Sequence, residues 1–471
     1  MAGQKPEEIG LTSHVNDERD SIDELSHDEE DLARTSARPG LHARLPSFVR
    51  PTASRLNAAY VRYLCAAVAV FIVLGWLFIP SGPKHGRPKS HKPRPPHPHE
   101  PLRLTRPEDT KIVGLVFYGR RDRSSILDCY LRNNLRVNGG WLDEVAWGVN
   151  TEKEDDLAYL ELLLATTPEY RKIQLREKSY VGLWEESIEA GNIYVKLDDD
   201  VVFIDDDAIP RIVDTLLTHP ESVIVSANII NSPKLSWLQY RTGAILPYLP
   251  ELGKEQADGS VLSSKNNPLW RASELPLWKK PIGFKEPNQI NDWEIYFESE
   301  TSTPEDLPKH RWLPVQGQNA LYHTPITQTE FKGGGHGLFS WAIAAQQHYS
   351  FLDHLENNRK YLYTLGHGSS DATDTIWDMT GERLSINFIA LRGEVILENL
   401  DKLEAWKDDE EYLTVELPKQ LNKRLTVQTK ALGVHYSFNK QHTLDHTDVL
   451  ARYRAYAIEN VCPGDFLDPA S

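Results

Sequence analysis

The sequence predicts an α/β protein, with a Rossmann-like, mostly parallel sheet and flanking helices behind a single transmembrane helix. Three observations predict it. From Lys111 onward, short apolar runs alternate with amphipathic stretches, as in βα units wound around a parallel sheet. One of these runs, 193–197, ends in three consecutive carboxylates, Asp198, Asp199 and Asp200. Far upstream, residues 63–79 are uncharged and apolar, and with Val61 and Arg62 they approach the ~20 residues that cross a bilayer as a helix.

The chain divides by composition. Residues 1–55 are polar, carry an acidic cluster at 28–31 and lack hydrophobic periodicity, which predicts a disordered tail. Residues 56–80 hold the membrane anchor, which has no polar face and is closed by Pro80 and Gly82. Its depth in the chain and the lack of a small-residue cleavage site argue against a signal peptide. Residues 81–108 are rich in Pro, Lys, Arg and His and predict an extended stem. Two halves follow, 109–235 and 236–465. A short tail, one anchor and a large C-terminal domain are the layout of a type II protein with that domain in the Golgi or ER lumen. Basic residues flank the anchor on both sides and no Asn-X-Ser/Thr acceptor occurs, so neither signal decides the orientation.

A net charge of −16 over 471 residues argues against nucleic acid as a partner. Three cysteines rule out a disulfide scaffold. They leave at most one lumenal pair, Cys129 with Cys462, which the sequence does not favour.

Strands are expected at 112–118, 144–149, 171–175, 193–197 and 223–226. Helices are expected at 124–136, 155–165, 180–190, 205–218, 340–357 and 444–458. Residues 237–312 read as irregular, Trp- and Pro-rich loops, either gripping a ligand through ring faces or packing as a lid.

Two like charges about 4 Å apart repel by roughly 4 kcal/mol at an effective dielectric near 20, and a divalent cation would turn that repulsion into ligation. Oxygen ligands suit Mg²⁺ or Mn²⁺, which keep open positions for phosphates. Ligands of open α/β sheets gather at the carboxyl ends of strands, where the loop after the first strand should meet the aspartates. That loop offers Tyr118 as an aromatic face, Gly119 for close approach, and Arg120 and Arg121 for a diphosphate. Taken alone, the same residues also fit a solvated acidic turn and a basic surface turn.

The run Lys196-Leu-Asp-Asp-Asp-Val-Val202 at a strand end, several βα units in and behind an anchor and stem, resembles the GT-A fold of nucleotide-sugar-dependent glycosyltransferases and their Asp-X-Asp motif. The likeness covers roughly 111–231 and is looser afterward. It implies that Asp200 binds an Mn²⁺ or Mg²⁺ ion bridging the phosphates of a nucleoside-diphosphate sugar. Asp198 would reach the ribose or the metal through water, and Asp199 the donor sugar. Tyr118, Gly119, Arg120 and Arg121 would hold the nucleotide, with Lys178, Tyr180 and Trp184 on the donor side, and the half 236–465 would bind a glycan or glycoprotein acceptor.

Residues 377–388 are similar to the acidic segment that opens a helix in exostosin-type transferases, with Glu-Arg here in place of Glu-Asp. Glu382 and Asp378 become candidates for the carboxylate that deprotonates the acceptor, a role worth about 10²- to 10⁴-fold; an ordinary acid at a helix start fits equally. The resemblance also nominates His435 as a further metal ligand, with His442 and His446 behind it, beside the reading of a structural histidine. The glycine run 331–338 could close over the diphosphate or serve as a hinge, and without a following Gly-Lys-Ser/Thr it is not a P-loop. Two other classes stay open. One is a haloacid-dehalogenase-like phosphatase with an aspartate nucleophile. The other is a catalytically silent membrane protein whose aspartates bind metal structurally, although no EF-hand loop is present.

Overall fold

The apolar run Ile112–Tyr118 forms strand β1, flanked by β2 (Glu144–Val149) and β4 (Ile193–Asp198), both parallel to it. All three are buried on both faces, which is why they read as continuous apolar runs and not as alternating ones. Strand β3 (Tyr170–Gln174) extends the sheet beyond β2. Between them run α1 (Arg121–Asn134), α2 (Glu154–Thr166) and α3 (Tyr180–Ser187). The computed structural model describes residues 104–175, 180–251, 270–280, 311–365, 375–406 and 408–469. The tail, the anchor, most of the stem and Lys178 lie outside the described residues, among which no helix is long and apolar enough to cross a membrane.

Past β4 the sheet departs from simple βα succession. Only Asp199 and Asp200 separate β4 from β5 (Val201–Ile204), yet the two strands do not pair. The strand order is β3-β2-β1-β4-β10-β6-β11-β5, with β6 at Ser222–Ile230, β10 at Phe388–Arg392 and β11 at Arg424–His435, while β7 (Tyr248–Pro250) and β8 (Trp312–Pro314) pair with each other outside this sheet. Strand β10 is antiparallel to both neighbours, and β5 is antiparallel to β11.

A register break explains how β5 can lie four strands away from β4 in this order while following it by two residues. Strand β11 pairs with β6 up to Gln428↔Ala227 and resumes at Leu432↔Asn228, so three residues of β11 are looped out. Such insertions bend a strand and raise its twist. The upper halves of β6 and β11 thereby carry β5 back toward the end of β4. Helix α4 (Ala208–Thr218) covers β6, β10 and β11, α5 (Pro233–Arg241) leaves the end of β6, and α6 (Trp341–Glu356) packs behind β6.

Sequence periodicity misses β5, whose four residues fall inside the stretch read as a loop before α4. It also misplaces residues 377–388. No helix opens there: Ile376–Asp378 is a short strand, β9, on the edge of β11, a turn follows, and Phe388 begins β10. Asn387 and Phe388 therefore lie at the start of a strand, not on a helix. The final helix, α7, spans Val449–Asn460, a turn later than expected, because 3₁₀ turns occupy Asn439–His446.

Contrary to the sequence reading, Cys129 and Cys462 are joined by a disulfide. It ties α1 to the segment after α7 across 333 residues, beside hydrogen bonds from Arg132 to the Asp465 carbonyl (2.6 Å) and from Asn133 to the Val461 carbonyl (2.8 Å). Cross-links closing long loops stabilise by on the order of 3 to 5 kcal/mol in the chain-entropy picture. Cys462→Ser should therefore lower the unfolding free energy in denaturant by a comparable amount, and reductant should lower the wild type to the same value while leaving the variant unchanged.

Candidate active site

Asp198, Asp199 and Asp200 point three ways because the backbone leaves β4 and turns at once into β5. Asp198 shares a face of β4 with Lys196, two residues earlier. The buried Lys196 ammonium contacts Asp198 Oδ1 and donates to the Ile386 carbonyl (2.9 Å), while Asn387 Nδ2 donates to Asp198 Oδ2 (2.6 Å). Burial lowers the Lys196 pKa, but the Asp198 carboxylate outweighs it and holds the lysine above its ordinary value.

Asp199 turns toward the β1 loop. Its Oδ2 accepts from the Gly119 N–H (3.0 Å) and its carboxylate forms a two-pronged pair with Arg120. Burial pushes this carboxyl up despite the guanidinium. Asp199, buried and paired with Arg120, fastens the β1 loop to the β4 end and stands apart from the group formed by Asp198, Asp200 and His435.

Asp200 turns into the protein. Arg120 lies 3.1 Å and Arg123 3.4 Å from its Oδ2, and His435 Nε2 is 3.1 Å from its Oδ1. Burial raises the Asp200 carboxyl, but His435, Arg120 and Arg123 together win and hold it far below the ordinary carboxylate range. The Tyr436 N–H donates to the Asp200 carbonyl (2.9 Å), stitching the end of β11 to the β4–β5 turn. His435 itself sits at a register shift between Val434 and His435 where β11 pairs with β5, a position that re-aims its side chain.

One oxygen of Asp198, one of Asp200 and one nitrogen of His435 lie within 4.8 Å of one another. Opposite ligands of a six-coordinate Mg²⁺ stand about 4.2 Å apart, so the three atoms are spaced on the scale of one coordination shell. The His435–Asp200 contact is close without being aligned: Asp200 Oδ1 is buried with no hydrogen-bond partner, as is His435 Nδ1. Two carboxylates suit Mn²⁺ or Mg²⁺, the added imidazole favours Mn²⁺ of the two, and the orphaned oxygen could serve as a ligand atom. His442 and His446 are not part of the group.

The structure redistributes the nucleotide-side candidates. Tyr118 is fully buried, its hydroxyl donating to the Asp156 carbonyl (2.6 Å) and its ring edge-on to Trp147, so it cannot present a face to a base. Strand alternation makes Phe117 the outward residue. It packs against Tyr180, 5.3 Å between ring centres, and Tyr180 is exposed. Arg121 begins α1 and pairs with Asp155 (2.9 Å). Together with Arg120, Asp122, Lys153, Glu154 and Asp156, these two line an open depression of about 630 Å³ between the loops after β1 and β2. Trp184 is buried and donates to Asp409 (3.1 Å), so it forms part of the core and not of a wall.

Asp378 does not join the site. It pairs in register with Thr426, on the half of β11 before the break, and its carboxylate caps Thr380 N–H (2.9 Å) near Arg424 (3.6 Å). Glu382, in the turn after β9, is half-exposed and ion-paired with the buried Lys234 at the start of α5.

Sequence reasoning overlooked Lys196, Asn387 and Arg123 as site residues. A lysine two positions before an acid on a strand, inside an apolar run, was the available signal for Lys196. The roles of Asn387 and Arg123 depend on contacts 189 and 77 residues apart in sequence, and no local pattern marks them.

No family model and no curated protein matches the chain. Among solved structures, glucosyl-3-phosphoglycerate synthase from M. tuberculosis is similar in part: 16% identity over 26% of this chain and 45% of that one, TM-score 0.22. A structure of that enzyme with Mn²⁺, UDP and glucosyl-3-phosphoglycerate aligns over 44% of its length at 15% identity, TM-score 0.21. A 4-diphosphocytidyl-2C-methyl-D-erythritol synthase aligns over 63% of its length at 10% identity, TM-score 0.21. The chain spans less than two thirds of the length of each of these proteins.

Two outcomes follow from this geometry. Asp198→Asn and Asp200→Asn should each abolish the rise in melting temperature on adding Mn²⁺, whereas Asp199→Asn should keep it. For the wild type at about 100 times the dissociation constant that rise corresponds to about 2.7 kcal/mol. The second concerns His348, fully buried beneath the site, whose Nε2–H donates to the Tyr436 carbonyl (2.8 Å). Burial pushes its pKa down to about 4, against an ordinary value of 6.5. The unfolded chain therefore takes up the proton first, and stability that is whole above pH 6.5 is lost as pH falls toward 4. Unfolding in denaturant at pH 7.5 and 4.5 should show roughly 2 to 3 kcal/mol from this group, and a correspondingly smaller difference in His348→Gln.

Proposed function

We propose that this protein is a metal-dependent glycosyltransferase of the GT-A type. It moves a sugar from a nucleoside-diphosphate sugar to a glycan or glycoprotein, from a single-pass type II anchor in the Golgi or ER membrane with its catalytic domain in the lumen. The observation that carries the reading is the convergence of Asp198, Asp200 and His435 at the carboxyl edge of β4, beside β1, where the strand order reverses direction. The Cys129–Cys462 bond supports the lumenal assignment, since structural disulfides persist in oxidising compartments.

In this reading Asp198, Asp200 and His435 hold Mn²⁺ or Mg²⁺, which when bound offsets the charge gathering on the departing diphosphate. Arg120 and Arg121 face the phosphates from the β1 loop, and the nucleoside occupies the depression toward Lys153. Phe117 and Tyr180 supply the aromatic wall first sought at Tyr118. Glu382 accepts the proton of the incoming hydroxyl, with Lys234 fixing its orientation.

A panel of nucleotide sugars tested with Mn²⁺ should contain at least one donor that raises the melting temperature and from which the nucleoside diphosphate is released. Release of inorganic phosphate from phosphomonoesters, with no donor in the panel recognised, would instead favour the phosphatase reading. Retained transfer in a protein carrying both Asp198→Ala and Asp200→Ala would remove the metal from the mechanism.

A further inference from the structure

Three segments that are remote in sequence meet at the buried ammonium of Lys234. The first is α5, which starts just after Asn231, whose side chain donates to the Tyr436 carbonyl (2.9 Å) and to Gln441 (2.9 Å). Since the Tyr436 N–H is bonded to Asp200, α5 is anchored to the metal-ligand turn through two successive hydrogen bonds. The second is the glycine loop. Gly337 lies so close to α5 that an added Cβ would stand 3.2 Å from Pro233 Cα, and at the loop's other end a Cβ added to Gly333 would stand 3.6 Å from Arg383 Cβ. The third is the turn bearing Glu382, which pairs with Lys234.

Around that point the surface is aromatic. Phe331 is 38% exposed and has Lys234 Nζ 5.4 Å from its ring centre. Trp237 meets Phe331 edge-on at 5.4 Å and carries the Arg241 guanidinium at 5.0 Å. A cation over a ring holds that ring in place. Glu382, 42% exposed, ends the row, with Oε2 on Lys234.

We propose that α5, the glycine loop and the Glu382 turn form a shelf that binds a pyranoside, with its C–H face on Phe331 and Trp237 and one hydroxyl at Glu382. Ring faces beside a few fixed polar groups suit a ligand that is apolar on one face and hydroxylated at its rim. An extended peptide would instead seek an open strand edge, and this shelf is built of a helix, a loop and a turn. The shelf deepens the transferase reading, on which only the fate of the hydroxyl rests. In transfer, its proton would pass to Glu382 while its oxygen bonds to the anomeric carbon and the bond to the diphosphate breaks, its electrons leaving on the diphosphate.

The test needs no donor. Full-length protein would be mixed with the methyl pyranosides of glucose, galactose, mannose and xylose, and separately with a Ser/Thr-rich peptide free of sugar, and binding read by saturation-transfer NMR. At least one pyranoside should receive saturation at its ring C–H protons, and Phe331→Ala and Trp237→Ala should each weaken that binding about three- to tenfold. Phe331 is exposed, so its variant should melt at the wild-type temperature. Binding of no pyranoside, binding of the peptide alone, or wild-type binding in both ring variants would overturn the proposal. Failure of the transferase reading would show separately, as the lack of any donor that releases nucleotide.

Discussion

The buried Asp200 carboxylate is the interaction on which the rest of the site depends. It stands where β4 has ended and β5 has not begun, and it draws together Arg120 from the β1 loop, Arg123 from α1 and His435 from the far end of β11. Removing one partner from such a buried charge group typically costs about 3 to 5 kcal/mol, because the remaining charges are left uncompensated. A cluster this expensive to bury is weak ground for stability in itself. Its value lies in fixing three chain segments around one carboxylate, whose Oδ2 meets both guanidiniums and whose Oδ1, beside His435, has no aligned hydrogen-bond partner.

The neighbouring carboxylates divide the remaining work. Asp199 is spent on Gly119 and Arg120 and so sets the position of the β1 loop. Asp198 is held by Lys196 and Asn387 and is more accessible than Asp200. Three identical side chains in a row thus acquire three roles because the backbone turns between strands that do not pair. The disulfide contributes from a distance: it fastens α1, whose first turns carry Arg123, to the end of α7.

Much of the first half was legible in the sequence. Strands β1 and β2 fall where the apolar runs place them, since strands buried on both faces leave an unbroken apolar trace. The sequence marked the Asp triplet as a candidate cation site for electrostatic reasons; the structure brings Asp198 and Asp200 together with His435, which resemblance alone nominated, and turns Asp199 away. Tyr118 was misjudged by ignoring strand alternation, which turns it inward and Phe117 outward. The second half was opaque because its strands are placed by pairing partners far away in the chain. Nothing local in 377–388 says that β10 inserts antiparallel between β4 and β6, and a Gly-containing acidic stretch before an apolar run looks the same ahead of a helix. Glu382 and Asp378 look equivalent in sequence, and only the register separates the one beside Lys234 from the one beside Thr426.

Asp198, Asp200 and His435 are proposed to hold one divalent ion. Electron spin-echo modulation of the Mn²⁺-loaded protein tests it most directly, because a directly bound imidazole nitrogen couples to the electron spin. One such nitrogen coupling should be present, and His435→Gln should remove it while leaving the oxygen-ligated ion in place. Mn²⁺ bound without nitrogen coupling, or coupling that persists in the variant, would contradict the account.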